Sequence, residues 1–260
     1  MVETVTASVF NRFMSTGRST PMLATCSGRG TDIDVVVKLN GAMDFGVRGA
    51  VFELTASMMA SRMGIDCPRP FIVRFEPDFV NVVANQYPEK KPVLQRSLGL
   101  NFGTEMMKGI VIFGEAMKVT LASVSDALKI FVFDGLTQNP DRSAANPNLY
   151  VRGDKLTVID HECAFSFLTA ILKPSKAWTV GPSDFMERHT LKYSLRSGDV
   201  DWTECWNALR TLDASFFEEV RDSIPTEWNG AEDVNAIEAH VTAVVSHAAE
   251  FEEELRGKLR

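Results

Sequence analysis

The sequence predicts an α+β protein of two lobes, a strand-rich N-terminal lobe over residues 1–100 and a mainly helical C-terminal lobe over residues 101–260. Three observations carry this reading. Short apolar runs punctuated by prolines and turn residues fill the first hundred positions. From about Leu121 onward the apolar residues recur at helical spacing. Between a buried helical stretch and a short hairpin lies a polar loop rich in Asn, Asp and Pro.

Taken in order, "MLAT" and "IDVVVKL" are apolar runs separated by the turn-like "SGRGTD", which predicts a hairpin. Val47, Val51, Leu54 and Met58 follow at helical spacing, and Gly64 is a helix stop. "CPRPFIVRFEP" and "FVNVVAN" read as strands punctuated by Pro68, Pro70 and Pro77. "LASVSDALKIFVFDGL" reads as a buried helix, and "NLYV" and "LTVID" as a hairpin turning at Arg152-Gly153-Asp154. The remainder is mostly helical, with Ile237, Val241, Val244, Ala248 and Phe251 on one face of a last long helix. Trp178, Trp202 and Trp206 read as core residues.

Composition narrows the function. Apolar residues at 45% and charged residues at 23% are ordinary globular values, which disfavours disorder, collagen and a disulfide scaffold. The net charge is −7, with 11 Lys/Arg against 9 Asp/Glu in residues 1–100 and 16 against 25 in residues 101–260. Nucleic acid is therefore not expected as the main partner, since phosphate binding needs a basic surface. Cys26, Cys67, Cys163 and Cys205 form no CxxC pair, which indicates buried thiols of a reducing compartment and neither a zinc site nor a redox dithiol. "MVETVTASVF" lacks a basic start and an apolar core, and no apolar run approaches the roughly 18 residues of a membrane span. The expected location is the cytoplasm, without membrane attachment.

The polar loop carries Asp141, then Asn146 five residues on, then Asp160 at the end of an apolar strand. Transfer of a phosphoryl group from a nucleotide needs little covalent help. It needs a carboxylate to orient the attacking hydroxyl and oxygen ligands to hold a divalent metal against the phosphates. Asp141 supplies the base, and Asn146 and Asp160 supply oxygen ligands suited to magnesium. The competing view is that Asn139-Pro140-Asp141 and Asn146-Pro147-Asn148 are only turn formers. Upstream, Lys38 lies on an apolar strand and Glu53 fifteen residues later in the following helix. A strand lysine held by a helix glutamate is the phosphate grip of a kinase-type site. His161 and Glu162 point to opposite faces if extended, so His161 reads as a neighbour that orients Asp160 or simply packs, not as a ligand.

"FDGLTQNPDRSAANPNLYVRGDKLTVIDHECAF" resembles the catalytic segment of HipA-like kinases, roughly D-x4-N-x-D-R-x3-N and then a strand ending in Ile-Asp. "VVVKLNG…AVFELTASMMASRMGIDCPRPFIV" is similar to that family's lysine strand, glutamate helix and Gly-x-x-x-Pro exit. The resemblance covers most of residues 10–170 and fits the short, stand-alone HipA-like domains. It implies a bilobal kinase-like fold that binds ATP and Mg2+, with Asp141 as catalytic base, Asn146 and Asp160 as metal ligands and Lys38 on the phosphates. It also implies that "STGRSTP" is the phosphate loop, with Ser15, Gly17 and Arg18 at the nucleotide and Ser15 at the position where the family accepts a phosphate from the kinase itself. Arg18 stands where the family has a second glycine, and Ser143 where full-length HipA often has histidine. The glycines of "SGRGTD" read as a hairpin turn. The implied activity is phosphorylation of a Ser/Thr hydroxyl on a protein, the kinase itself included, with an antitoxin or other regulatory protein as a further partner. A small-molecule phosphotransferase and a non-catalytic nucleotide-binding module are the alternatives.

Overall fold

The computed structural model describes residues 1–14, 20–28, 30–114, 117, 119–120, 123–170, 176–180, 185–196 and 200–260. The expected phosphate-loop residues Ser15, Gly17 and Arg18 lie outside them.

Alternation of side chains drives the N-terminal architecture, because residues two apart on a strand share a face. In β2 (Met22–Ser27) the buried residues are Met22, Ala24 and Cys26, and in β3 (Asp32–Lys38) they are Val35 and Val37. With β1 (Glu3–Phe13), β4 (Pro70–Phe75) and β5 (Gly99–Glu105) they close a five-stranded barrel in the order β1-β2-β3-β5-β4. β1 and β4 pair in parallel and the other neighbours antiparallel. Closure leaves no unpaired edge to template aggregation. Val5, Ala7, Phe71, Val73 and Phe75 complete the core. One tight point requires glycine: a Cβ on Gly103 would lie 2.6 Å from Val35 Cγ1 and 2.8 Å from Val73 Cγ2.

The stretch "FVNVVAN", expected as a strand, is part of helix α2 (Pro77–Gln86), preceded in the chain by α1 (Val47–Arg62). Pro77 sits at the first helical turn, where its fixed φ and missing N–H cost nothing. Val80, Val83 and Ala84 are buried while Val82 is 66% exposed, which is the 3.6-residue period and not the alternation that β-branched composition suggests. A further short helix, α3 (Lys91–Arg96), was not foreseen either.

The chain forms two compact units, and the boundary expected at residue 100 falls inside β5. The first unit is Met1–Leu54, Pro68–Lys108 and Asp222–Gly230; the second is Thr55–Cys67, Gly109–Arg221 and Ala231–Arg260. The late segment Asp222–Gly230 is therefore an integral part of the first unit. The Val2 amide donates to Ser223 Oγ (3.3 Å), and buried Trp228 donates its Nε1–H to the Leu100 carbonyl (3.2 Å).

The second unit is built around α4 (Val124–Thr137), which is buried on every face over its last turns. A three-stranded sheet in the order β6-β7-β8 accompanies it, made of β6 (Val111–Ile112), β7 (Leu149–Arg152) and β8 (Lys155–Val158). Helices α5 (Lys192–Leu195), α6 (Thr203–Leu209) and α7 (Ala214–Ser223) follow, the last passing into the first unit. The single long C-terminal helix expected from its apolar face is instead α8 (Ala231–Ser246) and α9 (Ala248–Leu259). His247 leaves helical geometry at the break (φ −121°, ψ 41°), and its ring stacks on Trp178 at 3.5 Å between centroids. Trp202 is core, whereas Trp206 and Trp178 are half-buried.

No disulfide joins Cys26, Cys67 or Cys205, and burial pushes their thiols up to about 12, so they carry no thiolate at neutral pH. No helix of the described residues is long and apolar enough to cross a membrane.

Candidate active site

In the first unit the structure brings Lys38 and Glu53 together. Val35 and Val37 turn into the barrel, and Lys38, the last residue of β3, reaches Glu53 of α1 as an ion pair. Only 12% of the lysine side chain and 2% of the glutamate side chain are exposed. Burying two charges costs several kcal/mol each before pairing offsets it. An ordinary edge lysine would remain in water. The chain just beyond Lys38 is fixed as well: the Asn40 amide donates to Asn101 Oδ1 (3.1 Å), Asn40 Nδ2 to the Leu100 carbonyl (2.7 Å) and the Gly41 amide to Ser97 Oγ (2.9 Å).

In the second unit the loop after α4 is organised from the helix end outward. The last carbonyls of a helix need outside partners, and four carbonyls at this end find them. Asp134 O accepts from the Asn139 amide (3.0 Å), Leu136 O from His240 Nε2 (2.9 Å), Thr137 O from the Phe165 amide (2.6 Å) and Gln138 O from Ser166 Oγ (2.6 Å). The segment following Asp160 is thereby wrapped over the end of α4. Gln138 takes a left-handed conformation and turns the chain out. Asn139 then accepts the Asp141 amide on its side-chain oxygen (3.2 Å), an Asx turn that presents Asp141 half-buried. The turn-former reading of Asn139-Pro140-Asp141 thus describes the local structure, and the turn is what aims the carboxylate.

Two asparagines compete for the ligand role. Asn146 is exposed, at the tip of a turn in which its backbone exchanges hydrogen bonds with Ser143 (3.0 and 3.1 Å). Asn148 immediately precedes β7, is half-buried, and donates its Nδ2 to Asp141 Oδ2 (2.9 Å). Its carbonyl accepts the Ile159 amide (3.1 Å), extending the β7–β8 pairing by one residue. Asp160 is the next residue, half-buried in the left-handed region (φ 60°). Burial, then the negative charge of Asp160, raises the Tyr150 hydroxyl above its ordinary value. The backbone thus brings Asp141, Asn148 and the start of the segment carrying Asp160 to one end of the β7–β8 hairpin, while Asn146 is exposed on the turn between Asp141 and Asn148. The spacing argument gave no sign of the bond between Asn148 and Asp141. Its signal was an asparagine directly before an apolar strand.

Three more residues support this loop. Asp134, the one carboxylate in the apolar part of α4, is fully buried and binds Arg142 Nε (2.5 Å) and His189 Nε2 (2.9 Å). Burial alone would raise the Asp134 carboxyl, but the Arg142 charge and the His189 hydrogen bond outweigh it and hold the group below its ordinary value. Asp134 and Arg142 were legible as part of a sequence pattern without a role. His189 had no signal, since it comes from 47 residues beyond Arg142 in the chain. His161 is buried edge-on against Phe133 (5.7 Å), which agrees with packing. Among the described residues no group of three or more His, Cys, Asp or Glu side chains could hold a metal ion.

His240 makes a testable prediction. Its ring stacks on Phe167 (3.9 Å), and burial lowers its pKa from 6.5 to about 4, a shift that the Leu136 carbonyl only partly opposes. The unfolded chain takes up this proton below pH 6.5 and the folded one does not until about pH 4. Stability is therefore present above pH 6.5 and falls as the pH drops towards 4. Between pH 7 and 5 this residue should account for a loss of about 2 kcal/mol at 1.36 kcal/mol per pH unit. His240→Gln keeps a donor for Leu136 and cannot titrate. Urea unfolding of both proteins at pH 7 and 5 should show the variant losing less; equal losses would remove His240 from the account.

No curated protein sequence matches the chain. A solved structure similar to it is the Helicobacter pylori proinflammatory kinase CtkA, with 11% identity and a TM-score of 0.49 over 95% of this chain and 98% of that one. The sequence model of the HipA-like kinase family matches residues 7–254. With nearly the whole length covered, the chain belongs to the HipA-like kinase family.

Proposed function

We propose that the protein is an ATP- and magnesium-dependent kinase that transfers the γ-phosphoryl group to a Ser/Thr hydroxyl of a protein, Ser15 of its own chain included. The carrying observation is that Asn148 bonds Asp141 with its side chain and the Ile159 amide with its carbonyl, which draws the segments of Asp141, Asn148 and Asp160 to one end of the β7–β8 hairpin. Asp141 accepts the proton of the attacking hydroxyl and orients it. Asn148 and Asp160 are oxygen ligands of the kind magnesium takes, and the ion when bound neutralises phosphate oxygens. Asn146, the ligand that spacing alone selects, remains exposed on the turn. Lys38, aimed by Glu53, binds the phosphates of the nucleotide. A protein acceptor and a regulatory protein partner rest on the family assignment.

The test is incubation with labelled ATP and magnesium, with a casein-type protein acceptor and without one, for the protein and for Asp141→Asn. Label in the protein that the variant fails to incorporate supports the reading. Equal label in both, or none in either, overturns it. ATP with magnesium should also raise the melting temperature, and ATP with EDTA much less, because two oxygen ligands bind the ion weakly without the phosphates. Equal shifts would deny Asn148 and Asp160 their role.

A further inference from the structure

Arg142 is the largest fully buried side chain of the second unit, and nothing in phosphoryl transfer requires a buried arginine there. Its contacts give it a different task. Nε donates to Asp134 Oδ2 (2.5 Å), while Nη1 donates to the carbonyl of Asn148 and, at 3.4 Å, to that of Ile159. The first carbonyl belongs to the residue whose side chain holds Asp141. The second belongs to the residue before Asp160. One guanidinium thus spans the two chain segments that carry the three oxygen donors, at the point where the Ile159 amide also meets the Asn148 carbonyl (3.1 Å).

The anchor for that guanidinium is itself oriented. The Leu191 amide donates to His189 Nδ1 (3.1 Å), so Nδ1 carries no proton and Nε2–H donates to Asp134 Oδ2 (2.9 Å). Asn139 Nδ2 approaches the other oxygen, Oδ1, at 3.4 Å. The Arg142 carbonyl accepts the Thr190 amide (3.2 Å), tying the same stretch of chain to the loop from its other side. A buried ion pair is a poor stabiliser compared with apolar packing of equal volume. What a rigid, planar donor offers that apolar packing cannot is a fixed geometry between the Asp134 carboxylate, bound by Nε, and the two carbonyls that converge on Nη1.

We propose that Arg142, held by Asp134 and His189, is a positioning residue for phosphoryl transfer: it sets the separation of Asn148 and Asp160 and so the geometry of the metal-binding oxygens. The inference rests on the kinase reading above. It predicts a specific pattern in Arg142→Lys, which keeps the charge and loses the fork, and in Asp134→Asn, which keeps the shape and loses the charge. In either variant kcat falls about 10–100-fold, as for the loss of a group that orients a metal ligand. The KM for ATP at saturating magnesium stays near the original, and the magnesium concentration for half-maximal rate rises. Hydrogen exchange at the Ile159 amide accelerates while the middle of α4 remains protected. A merely structural role lowers the melting temperature and leaves kcat and the magnesium requirement per folded molecule unchanged, and that result overturns the proposal. Should Arg142→Lys not fold, Asp134→Asn decides. If the unsubstituted protein transfers no phosphate, the kinase reading falls by itself, and exchange at Ile159 still decides whether Arg142 holds the two segments together.

Discussion

Asp160→Asn is expected to reduce phosphoryl transfer about 10³-fold, roughly 4 kcal/mol of barrier, in a protein that remains folded. Asparagine is the informative replacement because Asp160 sits at φ 60°. Asn and Asp tolerate that left-handed conformation, whereas alanine adds about 1–2 kcal/mol of backbone strain and would confuse stability with chemistry. The side chain is half-buried and outside the apolar core, so the change opens no cavity. The loss is large because the divalent ion that this carboxylate would hold is the main counter-charge to the phosphates. The companion substitutions separate the two asparagines. Asn148→Gly, chosen because Asn148 is also left-handed (φ 45°), should lose about 10²-fold. Asn146→Ala should keep near-original turnover. The reverse outcome would return the ligand role to Asn146, and a fully active Asp160→Asn would end the kinase mechanism.

Trp228→Ala should destabilise the protein by about 3–5 kcal/mol, the usual cost of removing a large buried aromatic side chain. Trp228 is 5% exposed and gives its indole N–H to the Leu100 carbonyl, one residue from Asn101, which holds the chain after Lys38. Truncation therefore leaves a cavity and removes a buried hydrogen bond together. Urea unfolding with tryptophan fluorescence, and circular dichroism as a second probe, measures it. Trp228→Phe should recover most of the packing and lose only the hydrogen bond, about 1 kcal/mol. A loss under about 1 kcal/mol for the alanine variant would show that Asp222–Gly230 contributes little to the first unit.

How much of this was legible before the structure depends on the range over which each interaction acts. The strands β2, β3, β7 and β8 and the helices α1 and α4 were readable because alternation and 3.6-residue spacing are local signatures of a one-sided apolar environment. The Lys38–Glu53 pair was readable because a charge on an apolar strand or inside an apolar helix is costly unless it is paired. The valines of "FVNVVAN" misled because β-branched composition favours strand, while Pro77 and the burial of Val80, Val83 and Ala84 settle a helix. The spacing of Asn146 likewise says nothing of the contact that Asn148 makes with Asp141. Counting residues along a loop takes no account of which side chain the turn returns to Asp141.

By itself, the sequence determined the α+β class, the strand lysine with its helix glutamate and the family pattern of the loop after α4. Each of these follows from residues close together in the chain or from a fixed chemical requirement. Only the tertiary structure decided that Asn148 stands beside Asp141, that Arg142 joins the Asn148 and Ile159 carbonyls under the control of Asp134 and His189, and that residues 222–230 complete the first unit. Those arrangements depend on groups distant in sequence meeting in a space that water has left. There, every buried donor and acceptor must find a partner, and the fold, not the order of residues, determines which partner is within reach.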